Sequence, residues 1–324
     1  MASIGYLIIN FGGPRNLKEV EPFLYALLKD RDVIRTKWPQ FFHNLLFRNV
    51  ARRRGKKVSA DYAAIGGGSP IYSDTEHIAQ ALSKRLKAPV LTFHRYLEAT
   101  HETALQQIEA LRVNEIHVFP MFPQFTYATT GSVARLLSNH LSSKVLNKLL
   151  WVKSYSAHPA FIQTMQQKIR NFMNEHHLKE EETLLLFSAH GLPKSFIESG
   201  DLYEYECRSS FAKIMSAFPS AAGQLVYQSK FGPGEWLKPY TQDVCETIET
   251  ERKNIVFVPV SFTSDHIETL FEVEKLYMPI LAKRGLNPYR VPAMNRQNEW
   301  LDAIEEILKD FNPVNTSMLI RSSL

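Results

Sequence analysis

Short runs dense in apolar residues recur along the chain at 6–10, 90–93, 116–119, 149–153, 184–187, 225–228 and 255–260, with a weaker one at 289–291. Each has the length and continuous apolar character of a parallel strand covered on both faces. Amphipathic stretches at 75–86, 102–111, 159–174 and 239–250 separate them. Strand and helix in alternation imply parallel sheets joined by right-handed crossovers. The strand candidates fall into two groups, and the division is expected within 139–157. We therefore expect an α/β fold of two doubly wound domains, 1–145 and 146–310, with 311–324 as a tail. No Gly/Ser linker, low-complexity tract or obvious sequence repeat marks the junction. In sheets of this kind ligands bind beyond the carboxyl ends of the strands, so the polar residues just after a strand are the ones that matter.

The length, 324 residues, agrees with two domains, and 44% hydrophobic with 22% charged residues is the composition of a folded globular chain. No apolar run is long enough for a spanning helix. The first ten residues lack a basic region ahead of their apolar stretch and read as a buried strand rather than a signal peptide. Two cysteines, Cys207 and Cys245, cannot supply a four-cysteine zinc site or an iron–sulfur cluster, and point to the reducing cytoplasm. A net charge of +5 fits nucleic acid, an anionic membrane or an anionic small molecule alike. One segment narrows this. Trp38, Phe41, Phe42, Leu45 and Leu46 recur at helical spacing, and Arg48, Arg52, Arg53, Arg54, Lys56 and Lys57 follow. The pattern fits either a core helix with a solvated basic end or an interfacial helix, at a membrane surface or at the mouth of a greasy pocket for an acidic ligand. No nucleic-acid-binding motif accompanies it.

Two strand edges carry chemistry. The run Thr183-Leu-Leu-Leu-Phe-Ser-Ala-His190-Gly-Leu-Pro193 is a buried strand ending on a histidine, where an imidazole acts as base or metal ligand, or simply closes a strand with a hydrogen bond. After 255–260 come Asp265, His266, Glu268 and Glu272. On a helix Asp265, Glu268 and Glu272 share one face and can bind a hard cation or pass protons; Asp265 and Glu268 also have the spacing of a capping box. An imidazole from one edge and carboxylates from the other, converging, would suit a borderline cation such as ferrous iron. The glycine-rich segments after residue 10 and at 65–70 lack nucleotide-binding spacing and read as tight turns or places of close backbone approach to a flat ligand.

Leu7-Ile-Ile-Asn-Phe-Gly-Gly-Pro14, Ile65-Gly-Gly-Gly-Ser-Pro70, Phe122-Pro-Gln-Phe125 with Thr129-Thr-Gly-Ser132, and Ser188-Ala-His-Gly-Leu-Pro193 resemble motifs of the ferrochelatases, in order. So do Gln228-Ser-Lys-Phe-Gly-Pro233 with Trp236-Leu-Lys-Pro-Tyr-Thr241, and Val258-Pro-Val-Ser-Phe-Thr-Ser-Asp-His-Ile-Glu-Thr-Leu270. The resemblance runs from about residue 5 to about residue 310. It implies a type II chelatase-like fold of two Rossmann-like domains with a porphyrin cleft between them, and a late helix, within 295–309, packing back on the first domain. It implies insertion of Fe2+ into protoporphyrin IX, the terminal step of haem biosynthesis. His190 matches the active-site histidine and Glu268 the glutamate of the metal and proton path, both as metal contacts; His266, Glu272 and Asp265 are their neighbours. Phe11, Arg54, Lys57, Tyr62, Ser69, the Arg95-Tyr96 pair and Trp236 fall where the family holds the porphyrin, with Arg and Lys suited to its propionates. Partners would be protoporphyrin IX and Fe2+, with peripheral contact to the inner membrane, no nucleic acid, no permanent cofactor and no iron–sulfur cluster.

Departures from the family pattern are Leu97-Glu-Ala-Thr after Arg95-Tyr96, Thr126-Tyr-Ala in place of a segment with cysteine, and Tyr227 in place of a tryptophan. They bear on pocket shape. The glycine–proline forms resemble the protoporphyrin-using branch rather than the coproporphyrin-using one. The alternatives are a chelatase for another tetrapyrrole or metal, such as cobalt, and a non-catalytic porphyrin or haem carrier, which has no need of carboxylates facing a base. The imidazole of His190 and the acid of Glu268 are expected to face each other across a slot wide enough for a tetrapyrrole disc.

Overall fold

A computed structural model describes residues 3–321. Every expected strand is present: β1 (Ile4–Asn10), β2 (Val90–His94), β3 (Glu115–Pro120), β4 (Leu149–Trp151), β5 (Thr183–His190), β6 (Ala222–Gln228), β7 (Asn254–Pro259) and β8 (Asn287–Arg290). They form two four-stranded sheets, ordered β2-β1-β3-β4 and β6-β5-β7-β8, with all named strand pairs parallel. β5 is buried up to its last residue and β7 throughout, as parallel strands covered on both faces require.

The two units repeat one plan. In each, the second strand joins one side of the first and the third joins the other. The crevice where connections diverge therefore opens at the carboxyl ends of β1 and β3 in one unit and of β5 and β7 in the other. The segment after the third strand is a π-helix in both: Tyr127–Gly131 after β3, and the longer Ile267–Tyr277 after β7. The repeat invisible in the sequence is thus present in the topology, because buried strands demand only apolar character and not particular residues.

The units comprise residues 1–154 with 308–324, and residues 155–307. The junction falls after β4 and not at 145/146, because β4 pairs with β3 through Ile116–Leu149, His117–Leu150 and Val118–Trp151. Nor do 311–321 form a loose tail. Val314 bridges Trp151, the Trp151 indole donates to Thr316 Oγ1 at 3.0 Å, and Leu319 is fully buried in the first unit's core. The helix Asn298–Lys309 was expected to return to the first domain. Instead it belongs to the second unit as far as Ile307, where Trp300 packs on Tyr155 and Phe161, and the chain after it makes the return. The helix expected over 239–250 is shorter, Thr241–Thr247, since the Pro239 carbonyl is taken by the Tyr227 amide.

In the first unit α1 (Val20–Leu28) packs on α2 (Gln40–Ala63). The buried face of α2 is His43, Phe47, Ala51, Gly55 and Tyr62. Trp38, Phe41, Phe42, Leu45 and Leu46 are exposed, Phe41 by 72%. The core-helix reading of that apolar face is therefore excluded: the face turned inward is the one carrying His43, Phe47, Ala51, Gly55 and Tyr62, with Gly55 against Glu21 of α1.

The two glycine-rich segments meet each other. A Cβ on Gly13 would lie 2.5 Å from the Ser69 side chain, and one on Gly68 would lie 2.5 Å from the Arg15 carbonyl oxygen. The close backbone approach expected of these glycines is loop against loop. Gly68→Ala should destabilise the protein by about 1–3 kcal/mol, since the obstacle is backbone and cannot swing away. Urea melts check this, and an unchanged midpoint would show that the loops part at little cost.

Candidate active site

His190 ends β5, and the π-helix Ile267–Tyr277 begins eight residues beyond the end of β7. Because β5 and β7 are neighbours, the sheet brings both to one crevice. Gly191 and Pro193 turn the chain away after His190. The turn is tight because Gly191 donates its amide to the Gln228 carbonyl at 2.8 Å, and a Cβ at 191 would sit 2.8 Å from that same oxygen.

The site's central contact is His190 Nδ1 to Glu268 Oε2, 2.8 Å. The two side chains touch, so no disc lies between them, and the expected slot separating imidazole from acid is not what the fold builds. With Nδ1–H donated to the carboxylate, a neutral His190 presents the lone pair of Nε2. The ring keeps 38% of its side-chain surface, so a substrate can reach it. Its carbonyl oxygen accepts from the Tyr203 hydroxyl at 3.0 Å, with Ser261 Oγ 3.0 Å from the same hydroxyl. Burial lowers the His190 pKa, but the Glu268 charge and hydrogen bond outweigh it, and the net shift is upward. Burial alone would raise the Glu268 carboxyl; His190, and His266 with its Nε2 3.8 Å from Glu268 Oε1, hold it well below the usual range.

Glu272, one turn on, behaves in the opposite way. Burial, followed by the Glu268 charge, pushes it up to about 7. Three donors converge on its Oε2: Ser229 Oγ at 2.7 Å, Gln228 Nε2 at 3.2 Å and the Tyr277 hydroxyl at 3.3 Å. Gln228 Nε2 also donates to the Glu268 carbonyl, and its Oε1 accepts from Ser188. A carboxylate that stays ionised beside an imidazole can orient it, and a second carboxyl that changes charge near neutrality can accept or release a proton.

Asp265 does not join this row. Its carboxylate accepts from Arg290 Nη1 at 2.6 Å, Asn295 Nδ2 at 2.8 Å and the Ala293 amide. The capping-box reading of Asp265 and Glu268 also fails, because the box is one residue later: His266 donates its amide to Thr269 Oγ1 at 2.9 Å. His266 Nδ1 is 3.0 Å from the Ser264 carbonyl. Trp236 is 8% exposed and packs behind Gly191, bridging Pro193. Among the described residues no group of three or more His, Cys, Asp or Glu has the geometry to hold a metal ion.

The remaining expected residues lie in the first unit. Arg95 is bound at 2.7 Å to Asp30 and donates Nε to Ser132 at 2.6 Å, and the Tyr96 hydroxyl donates to Asp30 at 2.8 Å. Tyr96 is 1% exposed, so this pair organises the unit's interior. Phe11 lies edge-on to Tyr96, ring centres 4.5 Å apart. Tyr62 and Ser69 are buried; Arg54 and Lys57 are exposed on α2. Gln228, Ser229 and Tyr277 around Glu272, and Tyr203 and Ser261 behind His190, were not singled out in the sequence. Gln228, Ser229 and Ser261 stand in recognised motifs, but Tyr203 and Tyr277 carry no local signal.

Comparison with solved structures shows a shared fold. The fold resembles CbiX, described as the terminal enzyme for biosynthesis of sirohaem in denitrifying bacteria, with a TM-score of 0.53 at 15% identity, over 94% of this chain and 98% of that one. The sequence is more specific. The ferrochelatase family model matches residues 3–311. The ferrochelatases of Chlamydia caviae and Chlamydia abortus are 45% and 46% identical over 98% of this chain and 99% of theirs. The chain belongs to the ferrochelatase family and is a metal chelatase of haem biosynthesis.

The pair makes a prediction about protonation. The folded His190 imidazole should titrate above its ordinary 6.5, and Glu268→Gln should lower it, since burial is then opposed by the Glu272 charge alone. Stability follows. The Glu268 contribution is present above pH about 4.5 and lost as pH falls through its depressed pKa; the His190 contribution is present below about 6.5 and lost as pH rises through its elevated one. NMR titration of the His190 ring reads both variants, and an identical midpoint would mean that the contact carries no charge.

Proposed function

We propose that the protein inserts Fe2+ into protoporphyrin IX, with His190 Nε2 as the pyrrole-proton acceptor. The observation that carries this is the His190–Glu268 contact at the carboxyl edge of β5 and β7. Free porphyrin carries two N–H protons; one ferrous ion enters and two protons leave, so charge balances and no electrons move. A planar ring directs its nitrogen lone pairs inward, so the ring must bend for the metal to reach them, with contacts remote from the reacting nitrogens supplying the strain. Glu268 fixes the imidazole tautomer and stabilises the imidazolium that forms, the role a carboxylate plays behind a catalytic histidine. It also offers a carboxylate oxygen to the incoming cation. Glu272, near 7, takes the proton onward. Asp265, held by Arg290, is left out of this chain.

Phe11, Tyr62, Ser69, Arg95, Tyr96 and Trp236 are the porphyrin contacts that the family resemblance implies. Arg54 and Lys57 pair with the propionates. His190→Ala should abolish metal insertion and leave porphyrin binding within a few-fold. The measurement is loss of porphyrin fluorescence on adding Fe2+ without air, run with protoporphyrin and coproporphyrin and with Co2+ in competition. Normal turnover in His190→Ala removes the histidine from the mechanism; binding without turnover in the unmodified protein identifies a carrier.

The exposed apolar residues of α2, followed directly by its cations, favour peripheral contact with an anionic membrane. No helix among the described residues is long and apolar enough to cross one. Vesicles containing anionic lipid should sediment the protein, and Phe41→Ser with Phe42→Ser should release it. Equal recovery in the supernatant with anionic and neutral vesicles would refute the contact. Arg54→Ala with Lys57→Ala should raise the KM for porphyrin in detergent, where no membrane competes for these cations.

A further inference from the structure

A π-helix is rare, and most examples are a single turn inside an α-helix. Ile267–Tyr277 is eleven residues, and its end is still closed by an i−5 bond, from the Met278 amide to the Val273 carbonyl. A backbone of this kind depends on contacts outside itself. It also decides where Glu268 and Glu272 point, so what braces it also positions the site.

We propose that Arg290, on the edge strand β8, is the positioning residue that holds this helix in register and thereby keeps Glu268 against His190. The guanidinium spans two points of the π-helix segment. Nη1 meets Asp265 Oδ1 at 2.6 Å just ahead of the helix, while Nε and Nη2 meet Glu274 Oε1 at 2.9 and 2.7 Å within it. Arg290 is 8% exposed, so these are not loose surface pairs, and the planar fork fixes direction as well as distance. Asp265 is gripped from a second side by Asn295, which accepts the Asp265 amide on Oδ1 and donates Nδ2 to Oδ2, each at 2.8 Å. Asn295 does so from a left-handed backbone, φ +50°, which asparagine tolerates better than most residues, and its own amide is held by the Thr263 carbonyl. Asp265 and Glu274 are therefore the two anchors of a strut, and Glu268 lies between them in the chain.

The proposal deepens the functional reading above and rests on it only for its kinetic arm. Arg290→Met keeps an unbranched apolar stem and removes both anchors. Glu274→Gln is the milder companion, leaving Arg290 on Asp265 should the first variant fold poorly. Both should lower kcat, Arg290→Met by about ten- to a hundredfold as expected for a small misplacement of reacting groups, with the porphyrin KM within twofold. Both should also lower the NMR titration midpoint of the His190 ring toward that of Glu268→Gln, with Arg290→Met moving further than Glu274→Gln. Arg290→Lys should recover only part of either effect, because an ammonium cannot span both anchors. An unmoved His190 midpoint in Glu274→Gln and in folded Arg290→Met overturns the strut, as does a lowered melting temperature with kcat intact. If instead the midpoint moves while His190→Ala still turns over, the strut stands and the assignment of the base falls.

Discussion

The hydrogen bond from His190 to Glu268 joins the end of one buried strand to the first turn of the helix that follows its neighbour. It forms only because β5 and β7 lie side by side on opposite sides of a change in chain direction, and because the π-helix begins where it does. The bond decides the tautomer of the ring, the charge on the acid and the face left open to a substrate. An imidazole so placed presents one nitrogen outward, and a carboxylate so placed stays ionised despite burial. Everything chemical in the second unit follows from that one contact.

The neighbouring carboxyl, Glu272, shows how the same burial yields an opposite result. It has donors but no imidazole, and it faces the negative charge of Glu268. Two glutamates four residues apart are therefore placed at opposite ends of the carboxyl range, one as a fixed charge and one as a group that titrates near neutrality. Asp265, a third acid close in sequence, is diverted to Arg290 and does structural work.

The first unit has the same strand order and a shorter π-helix in the corresponding place, but its charged cluster is of another kind. Asp30 is shared by Arg95, Tyr96 and Ser132, all turned inward. Its outward chemistry lies on α2, whose apolar and basic faces are solvent-exposed while His43, Phe47, Ala51, Gly55 and Tyr62 turn inward. One architecture, used twice, gathers titratable groups at a strand-end crevice in one unit and leaves an apolar and basic helix surface exposed in the other.

The eight strands were legible in the sequence because a doubly covered parallel strand must be apolar at nearly every position. Their order followed from alternation with helices. His190 was legible because a histidine closing such a run stands out, and Glu268 because its motif resembles that of a known family. The rest was not. The face of α2 that turns inward is set by where α1 can approach, so the more apolar face could be left outside. The roles of Asp265, Gln228, Ser229, Tyr203 and Arg290 depend on partners between 13 and 58 residues away, which no local pattern encodes. The expected slot between base and acid is likewise a question of distance. Composition and period dictate which elements form and which groups reach the strand ends. Only packing decides whether two such groups touch, and here their contact, by fixing both charges, makes the site.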